Sequence, residues 1–389
     1  MRIGILTYHW VYNFGANLQT LATSRFLGRM GHDVWILNYR PQDLEDLYRQ
    51  RIDAAQADTH ENFYAVHLRQ SPVCRSEKEL VAFCRETGLD AVVAGSDAVF
   101  RLSKELDRSD TRFPNPFWLV WATSSLQPAP MTAALAATAM GTNYFAYSSS
   151  VRRGISDAIR RMSLVSVRDR WTQLMLFTVT GGRCWAPLCP DPVIVLNDVF
   201  QLADEHAREP VANHRRYILM SIYSGMLSNE WIQRFVKIAH SQGLQVFSLP
   251  LPEGEVKIPV DRVLSLPLSP LTWYAWIQHA AGFIGVRFHP VVCSMANDVP
   301  FVSFDTYQRK LLRIASKTYD LCTRTRTRSL CLNDQSRRDL SPRKAFEKLL
   351  SREQDNAKSY AMQAKRDFSR IAADSLDVRR VTLRNRFAG

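Results

Sequence analysis

Four short segments carry residue types and spacings that could do chemistry on an anion. Arg287-Phe288-His289-Pro290 sets a guanidinium and an imidazole at the first turn of a helical pattern, directly after the apolar run Phe283 to Val286. A cation, a titratable ring and a helix start together suit a phosphate or carboxylate. Arg168 ends a second apolar run, Leu164 to Val167, and Asp169 follows it. It reads as a fork for carboxylate or phosphate, or as a surface arginine paired with a nearby acid. Gly95-Ser96-Asp97 follows the run Ala91 to Ala94. Asp97 there is a base toward a hydroxyl, an orienting group, or the N-cap of the next helix. Asn13-Phe14-Gly15-Ala16-Asn17, with His9 at the start of the same loop, precedes the first helical pattern. Backbone amides at such a point attract anions and a glycine permits close approach, although a tight turn alone would also use one. A fifth candidate is Arg324 to Arg328 with alternating threonines, a solvated loop or a contact for anionic lipid or polymer.

The elements that must position these residues alternate between short apolar runs and helical periods. Ile3 to Leu6, the stretch with Leu18, Leu21, Ala22 and Phe26 at helical spacing, and Val34 to Leu37 make a βαβ opening. Gly31 fits the stop of the helix. After a polar excursion at 41–75, Ser76 and Glu79 form a capping box for a helix ending near Gly88. Ala91 to Ala94, Tyr144 to Tyr147 and Leu164 to Val167 read as further strands. Residues 197–215 lack a period, and the domain boundary is placed there. Alternation then resumes with strands at Tyr217 to Ile222, Val246 to Leu249, Phe283 to Val286 and Phe301 to Phe304, and helices near Trp231 to Ala239, Leu271 to Ala280 and from Pro290. The fold class is therefore α/β with two Rossmann-like units, 1–200 and 201–335, and a tail at 336–389. Ser341-Pro342 starts a long amphipathic helix whose stripe includes Phe346, Leu349, Ala357, Tyr360, Ala361, Ala364, Phe368 and Ile371. In open α/β sheets ligands collect at the carboxyl ends of strands, which is where the four segments lie. Ser294 to Asp305 would form the rear wall of the pocket.

Composition narrows the partners. The 389 residues are 46% hydrophobic and 22% charged, as in a folded domain, and the net charge of +13 favours negatively charged partners. No zinc-finger, RNA-recognition or helix-turn-helix signature accompanies that charge, so nucleic acid is not expected. Seven scattered cysteines without a CxxC pair or zinc spacing fit a reducing compartment, and a chain opening MRIGIL begins with a strand rather than a signal segment. The expectation is a cytoplasmic protein without a metal site. Phe113 to Val151 carries no charge, but Pro128, Pro130 and its polar residues argue against a membrane span. An apolar surface touching a membrane, at its inner face, stays open.

Taken together, these segments resemble the polysaccharide pyruvyl transferase family. The opening TYHWVYNFGANLQTLATSRFLGRMGHDVWILNYRP is similar to the family's start with its N-x-G-x-x-L-Q core. VVAGSDAVF, SVRDRWT, PDPVIVL and GVRFHPVVCSMANDVPFVSFD resemble later blocks in the expected order. The resemblance spans roughly residues 1–310. It implies a glycosyltransferase-B-like architecture, with a C-terminal helix crossing back to the first domain. It also implies phosphoenolpyruvate as donor and a sugar, glycan or lipid-linked precursor as acceptor, with no cofactor. In that reading His289 is the proton donor or phosphate ligand, and Asp97 the acceptor-side base or an orienting group. Arg168 and Arg287 clamp the donor, and Asn13, Gly15, Asn17, Ser96 and Phe288 line the substrates. Ala98 and Phe100 stand where the family usually has Gln and Trp, and AYSSSVRR replaces an alanine-rich stretch, which bears on acceptor identity. Two other functions compete: a nucleotide-sugar glycosyltransferase of the same fold, with Asp298 as the acid for a ribose, and a non-catalytic membrane-associated scaffold.

Overall fold

The computed structural model describes residues 1–106, 108–212, 216–307 and 315–377. The first apolar run forms β1 (Arg2–Leu6); α1 (Phe14–Arg29) and β2 (Asp33–Ile36) follow. The polar excursion holds two helices, α2 (Gln42–Arg49) and α3 (Ala54–His67). In α4 (Glu77–Thr87) the Ser76 side chain accepts the Glu79 amide, and Gly88 stops the helix at a left-handed φ of 64°. The first unit continues through β3 (Ala91–Ala94), α5 (Val120–Ser125), β4 (Met131–Ala137), α6 (Ser149–Arg161), β5 (Leu164–Val167) and α7 (Arg170–Val179). Its five strands are parallel in the order β2-β1-β3-β4-β5.

One strand expectation fails here. Tyr144–Ala146 is a 3-10 turn, and the strand that fills the uncharged stretch is β4. Alanine is a weak strand former, so MTAALAA does not announce itself; it is a strand because neighbours on both sides bury it. Tyr144 is held in its turn by donating to the Phe100 carbonyl at 2.8 Å.

The stretch without a period contains α8 (Leu196–Val199) and α9 (Asp204–Ala212). The second unit then runs β6 (Tyr217–Ser221), α10 (Asn229–Ser241), β7 (Gln245–Ser248), β8 (Arg262–Val263), α11 (Pro270–Gln278), β9 (Gly282–Gly285), α12 (Phe288–Ala296), β10 (Phe301–Phe304), α13 (Lys317–Arg324) and β11 (Cys331–Leu332). Its six strands are parallel in the order β11-β10-β9-β6-β7-β8.

The C-terminal stripe is split between helices. After α14 (Asp334–Arg338), α15 (Pro342–Leu349) packs on α10 and β10, whereas α16 (Glu353–Ser375) lies against β4 and β5 of the first sheet. The chain crosses between the units at Leu350–Arg352, so one continuous helix could not serve both faces. Phe368 meets Phe26 of α1 edge-on at 5.2 Å. Residues 378–389 of the expected tail lie outside the described residues.

The two units share apolar packing. Phe14 of α1 stacks on Trp273 of α11 at 5.1 Å, and both belong to a buried cluster drawn from both sheets. Gln56 of α3 brackets Leu268 of the second unit, donating to its carbonyl at 2.8 Å and accepting its amide at 2.6 Å. An apolar interface tied by buried hydrogen bonds fixes how the carboxyl ends of the two sheets face each other.

Candidate active site

Those facing ends enclose a cleft of about 550 Å³. From the first unit come the loop after β1, including Asn13 and Gly15, and Asp97 after β3. The second unit supplies Arg287, Phe288 and His289 after β9, Asp305 after β10, and Lys317 at the start of α13. Of the expected rear wall, Phe304 and Asp305 reach the cleft.

Two of these side chains are aimed by unusual backbone. Asp97 has φ of 77° and Arg287 φ of 80°, both in the region that L-residues disfavour. Such conformations cost on the order of 1–3 kcal/mol and persist where the surroundings impose them. At Asp97 the surroundings are visible. Ser96 donates its hydroxyl to the Ala136 carbonyl at 2.9 Å and its amide to Gln19 at 3.2 Å. A β-carbon on Gly95 would sit 2.3 Å from the Leu135 carbonyl oxygen.

Beneath the cleft lies a charged layer. Arg168 is only 1% exposed and donates to Asp191 at 2.6 Å and to Asp97 at 3.0 Å. Its guanidinium lies 4.8 Å from the centroid of Phe288, and the Lys317 ammonium lies 5.2 Å from the same ring. His289 points Nε2 at Asp191 Oδ2 from 3.6 Å. Burial alone would raise the Asp97 carboxyl, but Arg168, with Lys317 and His289 after it, outweighs burial and holds it at about 2. Burial, reinforced by Arg168, brings the Lys317 ammonium down to about 8. Burial also lowers His289 to about 4 against the pull of Asp191 and Asp97. Near pH 7 the Asp97 carboxylate and the Arg168 and Lys317 cations are charged, and the His289 imidazole is neutral. Opposite charges face one another within the layer, and an arriving anion must compete for its cations.

The structure redistributes the roles expected of individual residues. Arg168 is not a rim cation waiting for a ligand: both its Nη atoms are spent on carboxylates, and it lies under the floor. Asn17 and Ser96 are fully buried rather than cleft-lining. Asn17 donates to the His9 carbonyl at 2.7 Å and accepts from His60 at 2.6 Å, which pins the loop after β1. Asn13 caps α1 by accepting the Ala16 amide at 3.2 Å. Arg287 is ion-paired with Glu253 and lies 5.5 Å from the Tyr223 centroid at the cleft wall. The Arg324–Arg328 run is divided: Arg324 lies inside, bonded to Asp320, Tyr360 and the Arg168 carbonyl, whereas Arg326 and Arg328 are exposed.

Two side chains of this layer, Asp191 and Lys317, were not singled out by the sequence. Asp191, in PDP, caps the turn Pro192–Val195 and gives its other oxygen to Arg168. Lys317 follows the helix cap Ser316 and looks like any surface lysine in the sequence; only the fold brings it beside Asp97. For Asp191 the signal was its place in the PDPVIVL block, between two prolines.

Two parallel α/β units facing each other across a cleft, joined by a C-terminal helix, define a glycosyltransferase-B-like protein. The architecture is similar to UDP-GlcNAc 2-epimerase from Neisseria meningitidis bound to UDP-GlcNAc (TM-score 0.58, 9% identity, 97% of this chain and 99% of that one). It is also similar to UDP-GlcNAc 2-epimerase from Methanocaldococcus jannaschii (TM-score 0.51, 10% identity, 90% and 91%). Arabidopsis thaliana UGT89C1 complexed with UDP is a further match (TM-score 0.51, 9% identity, 96% and 99%). At these identities the likeness is one of fold. No curated protein matches the sequence significantly. The profile of the polysaccharide pyruvyl transferase family matches residues 13–307, and the chain belongs to that family.

Proposed function

We propose that this protein transfers the pyruvyl group of phosphoenolpyruvate to two hydroxyls of a sugar, forming a cyclic ketal and releasing phosphate. The observation that carries the reading is the layer of Asp97, Arg168, Asp191, His289 and Lys317 at the cleft floor, within a family of pyruvyl transferases. Lys317 and Arg287 hold the carboxylate and phosphate of the donor, and Arg287 exchanges Glu253 for it. Arg168 acts from below by fixing Asp97 and Asp191.

The donor's negative charge raises the proton affinity of His289, which takes up a proton and delivers it to the methylene carbon. The C2 centre becomes oxocarbenium-like and a sugar hydroxyl adds to it. Phosphate leaves, and the second hydroxyl closes the ring. Of the two protons released by the hydroxyls, one replaces the proton that His289 gave to the new methyl group and the other goes to phosphate, so atoms and charge balance. A carboxylate at about 2 is a weak base, so Asp97 orients the acceptor hydroxyl by accepting its hydrogen bond. Tyr8, Tyr12 and Tyr48 line the first unit's side of the cleft, where the acceptor ring would rest.

The nucleotide-sugar alternative draws little support from this geometry. Asp298, its acid for a ribose, lies beyond the far end of α12 and pairs with Lys358 at 3.0 Å, outside the cleft lining. The test is calorimetric titration with phosphoenolpyruvate and with UDP-sugars, followed by phosphate release over a panel of glycosides. Binding of phosphoenolpyruvate and sugar-dependent phosphate release support the reading. Binding of UDP-sugars alone overturns it.

A further inference from the structure

A surface away from the charged layer combines exposed aromatic rings with a strong excess of arginine. It is built by the turn at 144–146, α6, α7 and the loop after α7, which pack on one another. Trp171 of α7 donates to the Thr142 carbonyl at 2.8 Å, and Arg152 of α6 donates to the Phe145 and Tyr147 carbonyls. On α7 Leu174 is 40% exposed, and the partly exposed Phe177 lies one turn further along. Trp185, 63% exposed, meets Phe177 edge-on at 5.2 Å, and Phe145 is 49% exposed. Ordinary domain surfaces seldom leave a tryptophan so uncovered.

The charges around these rings have nearly one sign. Arg152, Arg153, Arg160, Arg161, Arg170 and Arg183 are exposed or partly exposed, and Asp157 is the only outward carboxylate between 144 and 188. Like-charged faces repel, so a second copy of the chain is a poor occupant, whereas an anionic sheet of headgroups with an apolar interior satisfies both features. Rings of this kind settle at the headgroup boundary, and each nearby cation adds about 1 kcal/mol. Among the described residues no helix is long and apolar enough to cross a membrane. We propose that this face docks on an anionic lipid surface. Met140, 38% exposed, joins the same segment to the cleft rim, so a lipid-carried acceptor would enter from the membrane side. That last consequence alone rests on the pyruvyl-transfer reading.

The test is co-sedimentation of the full chain with vesicles of phosphatidylcholine alone and of equimolar phosphatidylcholine and phosphatidylglycerol, without donor or acceptor. Binding is expected only to the anionic vesicles and is lost at high salt. Trp185→Ser with Phe145→Ser should weaken partitioning by about tenfold. Arg160→Glu with Arg161→Glu should weaken it by about tenfold or more. Arg343→Glu with Lys344→Glu, on α15 of the second unit, changes net charge equally and should alter binding by less than about twofold, since α15 packs on α10 and β10 rather than on this face. No binding, or equal loss in the α15 control, overturns the assignment. So does a dimer that dissociates on Trp185→Ser, which would make this face a contact between copies.

Discussion

His289 rests on Gly15: a β-carbon built on that glycine would stand 2.0 Å from the histidine's Cγ and 2.1 Å from its Nδ1. Gly15 has no unusual φ to justify it. The glycine is there because the imidazole of the second unit packs onto the backbone of the first, and a single hydrogen in place of a side chain sets the distance between them.

Gly15→Ala should therefore displace His289 and the backbone that carries it at the start of α12. A misplacement of about 1 Å at a reacting group costs on the order of a hundredfold in rate. Steady-state kinetics should show a fall in kcat of that order with a smaller change in KM. The melting temperature should fall as well, since the added carbon also stands 2.4 Å from the His289 Cβ, which no turn of the ring can move aside. Unchanged kcat would mean the contact with Gly15 does not position His289.

Arg168 and Arg287 should separate cleanly. Arg168→Met leaves Asp97 and Asp191 buried without their cation, which costs about 3–5 kcal/mol of stability. Arg287→Gln removes a partly exposed rim cation, so stability should change by less than about 1 kcal/mol. Its affinity for phosphoenolpyruvate should nonetheless drop by more than about tenfold. Denaturant melts and calorimetric titration of both variants check the contrast.

Donor binding should take up protons. His289 is neutral near pH 7 because burial holds it at about 4, and the donor's charges favour its protonated form. Titrations in buffers of differing ionisation enthalpy should show proton uptake that falls markedly in His289→Gln. Raising the pH through about 8 deprotonates Lys317, so donor affinity should weaken on that limb, and Lys317→Gln should lose that dependence.

Stability should fall on the acid side before the carboxylates protonate. His9 and His60 are held at about 3 and His289 at about 4, each chiefly by burial, whereas the unfolded chain takes up these protons near 6.5. The unfolded state then binds more protons between pH 6.5 and these values, and each imidazole removes up to about 1.4 kcal/mol per pH unit. Asp97, held at about 2, loses its stabilising share only below its unfolded value of 3.8. Melts at several pH values should show this order, and His60→Gln should narrow its deficit relative to the parent as the pH drops from 6.5.

Much of the scaffold was legible because strands in a parallel sheet are short apolar runs and helix ends are marked by Ser76, Gly88, Ser341 and Pro342. Ala91 to Ala94 and Phe301 to Phe304 fall where the runs place them. β4 escaped because its alanines carry no strand signature, and Tyr144 looked like a strand while serving as a plug. At the site, position relative to strand ends located Asp97, Arg287 and His289 at the cleft. It could not tell that Arg168 would be consumed by two carboxylates, or that Lys317 would lie beside them. Those facts depend on contacts between segments 71 and 149 residues apart in the chain (Asp97 to Arg168, and Arg168 to Lys317), which no local pattern encodes.

The most direct measurement follows the methylene carbon of phosphoenolpyruvate in deuterated water, with a sugar bearing two suitably placed hydroxyls. Pyruvyl transfer predicts a ketal whose methyl group carries one deuterium from solvent, formed in step with one phosphate, and its loss in His289→Ala. A protein that leaves phosphoenolpyruvate unbound while turning over a nucleotide sugar would contradict the account.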